Sequence, residues 1–388
     1  MSFPVAPHQP LIPGLPRRIR KVGAPLGVLI ALGMLTGLIV ILLTLSNPVG
    51  TAIGFTLSCV AMTVVVLAYL WLDRWEPEPP RLLILAFLWG ASVAVVISTI
   101  LQLTMEAAIN PGVTDTVSPL SVVLGAPLTE EAAKGLFLVL MMTGRRRNEL
   151  NSMTDCLIYA GLVGAGFAWL EDILYIGAGE TVSESLVTAA MRLVMAPFAH
   201  SLFTTMFGIG VYFALQQRSA IVKAGCVLVG YAAAVLMHAL WNGSSLLSIE
   251  AYFLVYFLWM VPIFGLAIAL GIASRRREQR VVAAKLPGMV AAGLVSPSEA
   301  TWLGSIRARK TAITEATRLA GRPAGKAVKK FAAQVVELAF VRDRIDRGFG
   351  DEWVSALLQE EVNGVAAARA AAPALQSLAG YPPRPPVV

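Results

Sequence analysis

Eight stretches of almost unbroken apolar sequence punctuate the chain, at 24–45, 50–72, 82–103, 120–142, 156–176, 186–215, 221–241 and 251–273. Each is long enough to cross a bilayer as a helix. The pattern therefore predicts eight transmembrane helices. The fourth stretch breaks its own rule, because it carries Thr129-Glu130-Glu131-Ala132-Ala133-Lys134 in its middle. A charged group near the centre of a spanning helix costs about 2.5–3.5 kcal/mol. Lys134 lies four residues after Glu130 and three after Glu131, so one helix face brings it close to both. A salt bridge that only locks helices together needs one carboxylate, and here there are two.

After residue 273 the pattern changes to shorter amphipathic repeats. Ser296-Pro297-Ser298-Glu299 reads as a capping box with proline at the first helical position. It predicts a helix to about Leu319, stopped by Gly321-Arg322-Pro323. Further helices are predicted over 325–347, ended by Gly348 and Gly350, and over 351–371. The chain thus divides into a Pro-rich disordered lead (1–23), a transmembrane domain (24–273) and a helical tail (274–388). Tyr381–Val388 reads as loose. The fold class is all-α and polytopic.

Composition agrees: 56% of the 388 residues are hydrophobic and 14% charged, with mean hydropathy +0.70. The net charge of +7 comes from the tail, which holds 18 Lys/Arg against 10 Asp/Glu. Positive residues also set the orientation. Arg17, Arg18, Arg20 and Lys21, then Arg74 and Arg81, Arg145–Arg147, Arg218 and Lys223, and Arg275–Arg277 share one side if there are eight crossings. Glu106, Asp115, Glu180, Glu184 and Glu250 fall on the other. Both termini are then cytoplasmic in a multi-pass plasma-membrane protein, and Arg192 is the lone basic residue on the outer side. Trp71 and Trp75 suit the cytoplasmic interface. Cys59, Cys156 and Cys226 read as small apolar packing residues, not as a disulfide or zinc set. The basic tail suits anionic lipid or a cytoplasmic protein. No nucleic-acid motif is found, and no nucleic-acid partner is expected.

Other spans also carry polar groups. The fifth has Gly161, Gly164 and Gly166 ahead of Glu171, small residues that let helices approach closely below a carboxylate. The sixth has His200 after Pro197, and the seventh has His238 and Asn242 on one face. His8 lies in the lead and carries no argument. Measured from the nearest cytoplasmic charge, Glu131 lies roughly 21 Å deep, Glu171 roughly 24 Å, His200 about 27 Å and His238 about 22 Å, at 1.5 Å per residue. Four helices deliver polar groups to one layer in the outer half of the membrane. In a wet cavity a glutamate can take a proton from water, an imidazole can orient it, and an amide can donate to an oxyanion. Glu131, His200 and His238 are also candidate ligands for Zn²⁺, although the spacing is not that of H-E-x-x-H. Metal-free and zinc-dependent chemistry both stay open.

The residues resemble a family at this point. Glu130-Glu131-Ala-Ala-Lys134 is similar to the E-E-x-x-K motif of PrsW-type intramembrane proteases, and Phe167-x-x-x-Glu171 to their F-x-x-x-E motif. His200 resembles their third motif and His238-x-x-x-Asn242 the fourth. The acidic, Pro-rich turn at 73–80 is similar too. The family's fourth motif usually ends in Asp; the Asn242 form is that of the wider superfamily of CAAX-type prenyl proteases and bacteriocin-processing enzymes. The change removes one carboxylate and favours a glutamate-activated water over a full metal site. The resemblance covers about 24–273. It implies proteolysis of a membrane-anchored protein, in the best-known relatives an anti-sigma factor. In this reading Glu130 or Glu131 is the base and Lys134 pairs the other. His200 and His238 orient water, Asn242 donates to the oxyanion, and Glu171 completes the cluster. An ion- or proton-coupled transporter is the rival, since relays use the same residue types, but no internal repeat is found. A scaffold acting through its basic tail is a third reading.

Overall fold

The computed structural model describes residues 23–111 and 117–378. The expectations for the lead, for Asp115 and for the C-terminal Tyr381–Val388 lie outside the described residues. Helices and turns make up all the regular structure among the described residues. Seven helical segments are long and apolar enough to cross a membrane. They are α1 (Leu26–Ser46), α2 (Pro48–Leu72), α3 (Pro80–Ile109), α5 (Met153–Gly177), a broken segment Val182–Leu215, α8 (Ala220–Leu247) and α9 (Ile249–Ala291). The eighth, α4, begins as a π-helical turn at Ser121–Gly125 and continues as an α-helix over Ala126–Met141. Its three ionisable groups lie together within five residues, Glu130 to Lys134.

The described residues form two compact units, one of 23–73, 78–111 and 117–272, the other including 74–77 and 273–378. In the first, α5 is the central post, buried along most of its length. Glycines make this possible. A Cβ on Gly90 of α3 would stand 2.0 Å from the carbonyl oxygen of Val163, and one on Gly166 would stand 1.9 Å from that of Phe87. The two backbones are therefore in direct contact, which no larger residue allows. At its start α5 is fixed by a capping box between Ser152 and Asp155. The turn after α2 is pinned to the same helix: Tyr159 donates to Glu78 at 2.6 Å, while the Glu78 backbone N–H donates to the Asp73 carboxylate.

Two helix irregularities shape the membrane unit. Pro127 has no N–H to give and crowds the preceding turn; the π-turn at Ser121–Gly125 lies immediately before it and widens the helix there. The sixth apolar stretch is not one helix. It runs as α6 (Val182–Ala189), passes through a π-turn (Ala190–Met195), loses helical geometry at Ala196, and restarts as α7 (Ala199–Leu215). Pro197 follows the break, as a residue unable to continue the hydrogen-bond ladder would.

The second unit has its own core. Val282, Leu286, Met289, Trp302, Phe331, Val335 and Leu338 are buried together, and Trp75 is buried among them. The expectation that Trp75 lies at the membrane interface is therefore corrected: its ring packs in this core, with the Arg309 guanidinium 4.3 Å from its centroid. The capping box at Ser296 and Glu299 forms as expected. Its helix α10 (Pro297–Leu303) is shorter than expected, because a new helix, α11 (Ile306–Arg344), starts with Ser305 as its cap. The expected stop falls at Gly321, where φ is +81° and α11 folds back on itself. Gly348, at φ +85°, ends the next turn, and α12 (Glu352–Ala370) follows with Asp351 as its cap.

Candidate active site

The paired glutamates of α4 have different surroundings. Glu131 is fully buried and saturated. Its Oε1 accepts from Lys134 Nζ at 2.6 Å and lies 3.1 Å from His238 Nδ1, while its Oε2 accepts from Thr204 at 3.2 Å. Glu130 lines a cavity of about 470 Å³. Its Oε1 accepts from Gln102 at 3.2 Å. Its Oε2 is buried without a hydrogen-bond partner, 3.7 Å from Lys134 Nζ and 3.9 Å from His238 Nε2.

The two imidazoles meet edge to face, with centroids 5.1 Å apart. His238 stacks on Phe203 at 4.7 Å. With its Nδ1 committed to Glu131, His238 presents Nε2 toward Glu130. His200 enters from the first turn of α7, just past the helix break. Lys134 Nζ lies 3.1 Å from its Nδ1, and Glu171 Oε2 lies 2.7 Å from its Nε2. An ammonium can only donate, so Nδ1 accepts and Nε2 carries the proton given to Glu171. Lys134 also sits 4.2 Å from the centroid of Phe167, and so contacts a ring from the same motif that supplies Glu171.

The structure thus brings Glu130, Glu131, Lys134, Glu171, His200 and His238 into one hydrogen-bonded and ion-paired group. Asn242 lines the same cavity, and its Nδ2 donates to the Val122 carbonyl in the π-turn at 3.1 Å. The sequence alone does not place Gln102, Thr204, Asp172 or Arg192 among the site residues. Thr204 lies four residues after His200 and so shares its face. Gln102 is a polar residue inside an apolar run. Arg192 was visible only as an exception to the charge rule; it binds Glu171 and donates to Asp172 at 2.6 Å.

Fold and site define a class: a polytopic, all-helical membrane protein with a buried Glu–His–Lys cluster open to a cavity. Residues 78–267 match the model of the PrsW family intramembrane metalloproteases. Protease PrsW of Clostridioides difficile (strain 630) is 28% identical over 151 residues, and Protease PrsW of Geobacillus kaustophilus (strain HTA426) is 29% identical over 151. Each alignment takes in 38% of this chain and 61% of the relative, so the chain spans under two thirds of the length of the curated relatives it matches. No solved structure matches the chain.

The family description implies a metal, and the residues here fit one. Glu130, His200 and His238 each offer a donor atom within 4.8 Å of the others. Two imidazoles and a carboxylate are a catalytic zinc set that leaves a position open. The set differs from the one the sequence suggested, because Glu130 stands where Glu131 was expected. Glu131 instead holds the far nitrogen of His238, the outer arrangement that orients a metal-binding imidazole. His200 would join as a neutral imidazole.

Proposed function

We propose that the protein is an intramembrane endopeptidase that hydrolyses a membrane-anchored protein, with Glu130 as the residue that accepts a proton from the attacking water. The observation that carries this reading is the Oε2 of Glu130, which accepts no hydrogen bond although it is buried on a cavity wall between an ammonium and an imidazole. A buried carboxylate oxygen without a donor is a cost unless something binds there. A water bound at this oxygen would lie close to His238 Nε2. The neighbouring Glu131 is spent on holding Lys134 and His238, which supports an orienting role for it. An amide nitrogen has two protons. Asn242 gives one to Val122 and keeps one for a developing oxyanion. Glu171 fixes His200 from the opposite side. In a metal-bound form Glu130 would be a ligand with His200 and His238 and not the base, and the metal would supply Lewis acidity and a more acidic water in its place.

The apolar surroundings and the depth of the cluster support a substrate that enters from the bilayer and is cut near the extracytoplasmic face. The family resemblance alone points to an anti-sigma-factor-like substrate. The alternating basic loops support cytoplasmic termini. Exposed Arg307, Lys310, Arg322, Lys326, Lys329 and Lys330 on the α11 hairpin support contact with anionic lipid or an acidic protein.

The test is purified full-length protein in micelles, offered a panel of single-span peptides. Cleavage by the wild type, lost in Glu130→Gln, is expected. Full activity in the double variant Glu130→Gln, Glu131→Gln would end the reading. Ion flux in proteoliposomes without cleavage of any peptide would favour a transporter. Activity undiminished after chelation would leave the glutamate–water chemistry and remove the metal.

A further inference from the structure

Arg192 is the one basic residue that breaks the charge asymmetry of the loops, and the structure supplies a reason. It sits on the π-turn Ala190–Met195, ahead of the loss of helical geometry at Ala196. The turn is anchored next door: Leu193 and Ala189 pack with Ile176 of α5, and Ser185 donates to the Ile176 carbonyl at 2.8 Å. The anchoring presents the guanidinium to the end of α5. Arg192 Nε donates to Asp172 at 2.6 Å, a second nitrogen donates to Glu171, and the guanidinium lies 4.3 Å from the Tyr175 ring centroid. One planar fork thus spans two consecutive carboxylates, which a single ammonium cannot match.

Glu171 uses the same oxygen, Oε2, for Arg192 and for His200 Nε2. The chain of contacts is therefore Asp172, Arg192, Glu171, His200, Lys134, ending at the buried ammonium. Glu171, Arg192 and His200 all line the cavity. We infer that Arg192 is a positioning residue: it holds the Glu171 carboxylate against His200 and thereby fixes that imidazole where it faces Glu130 and His238. Without the guanidinium, Glu171 and Asp172 would stand adjacent with no cation between them. Repulsion would then turn Glu171 toward the wetter cavity and release His200 Nε2. The effect on turnover rests on the peptidase reading; the effect on His200 does not.

The experiment uses the full chain in micelles, stripped of metal and labelled with ¹⁵N-histidine, with His8→Gln removing one signal and His200→Gln identifying another by its loss. Arg192→Gln is expected to move the His200 ring nitrogens and leave those of His238 in place. Arg192→Lys should move them less. In parallel, kcat on a single-span peptide should fall by about tenfold or more in Arg192→Gln with KM little changed, the pattern of a lost transition-state contact. Arg192→Ala should regain part of that rate with added guanidinium ion. Unmoved His200 signals in Arg192→Gln would overturn the inference. So would a rate loss that follows melting temperature across the variants and ignores guanidinium. If Arg192→Gln does not fold, Glu171→Gln takes its place and must move the same His200 signals. If the wild type cuts no peptide, the peptidase reading fails and the His200 signals alone decide.

Discussion

The two ends of α5 both bury carboxylates, yet they do different things. At the start of the helix, Asp155 accepts from the backbones of Asn151 and Ser152 and from the Ser152 hydroxyl, at 2.7–2.9 Å. One turn on, Tyr159 closes onto Glu78. That polar group ties a loop to a helix start. At the far end, Glu171 faces a cavity, shares an arginine with Asp172, and reaches through His200 toward a glutamate oxygen with no hydrogen-bond partner. Burial and charge are common to both ends. An unmet acceptor on an open cavity belongs to one only, and that difference separates a structural polar cluster from a candidate site.

The sharpest way to break the comparison is to remove the cation that both α4 glutamates share. Lys134→Met leaves Glu131 buried beside an apolar group, and breaking a buried pair in this way costs about 3–5 kcal/mol. Thermal unfolding in detergent should show a large drop in melting temperature, and cleavage should vanish with it. An unchanged melting temperature would mean the ammonium does not stabilise the cluster. Glu130→Gln should act in the opposite manner. It removes a proton acceptor whose Oε2 makes no hydrogen bond and only a long, 3.7 Å ion pair to Lys134, so stability should fall little while cleavage falls by about 10²-fold or more. Parallel melting and peptide-cleavage assays check this, and a destabilised Glu130→Gln would place that residue with the structural cluster.

Asn242→Ala should come next, with cleavage down about 10²-fold if its free proton serves the oxyanion, and melting nearly unchanged because only the Val122 bond is lost. A fall confined to KM would reassign Asn242 to substrate binding. The smallest effect is expected at the other end of α5. Tyr159→Phe removes a hydrogen bond to the Glu78 carboxylate and should cost about 1–3 kcal/mol of stability, with kcat on the peptide unchanged. A fall in kcat there would show that the two ends are coupled along the helix.

The apolar periodicity determined by itself that the chain is all-helical and polytopic, because spans and breaks are local properties of twenty-residue windows. Glycine and the capping box marked the tail's helix ends for the same reason: φ +81° at Gly321 and the Ser296–Glu299 exchange depend on neighbours in sequence. The motif residues Glu130, Glu131, Lys134, Glu171, His200 and His238 were visible as costly polar groups at a common depth. Rotation about each helix axis was not visible, since it depends on which neighbours a helix packs against. That rotation, together with the π-turn before Pro127, decides that Glu130 faces the cavity while Glu131 is enclosed by Lys134, His238 and Thr204. The break at Ala196 and the fork of Arg192 across Glu171 and Asp172 needed the packing of Leu193 on α5. Trp75 was misplaced because a lone tryptophan near a span suits an interface equally well, and only the tail's core shows where its surface is buried.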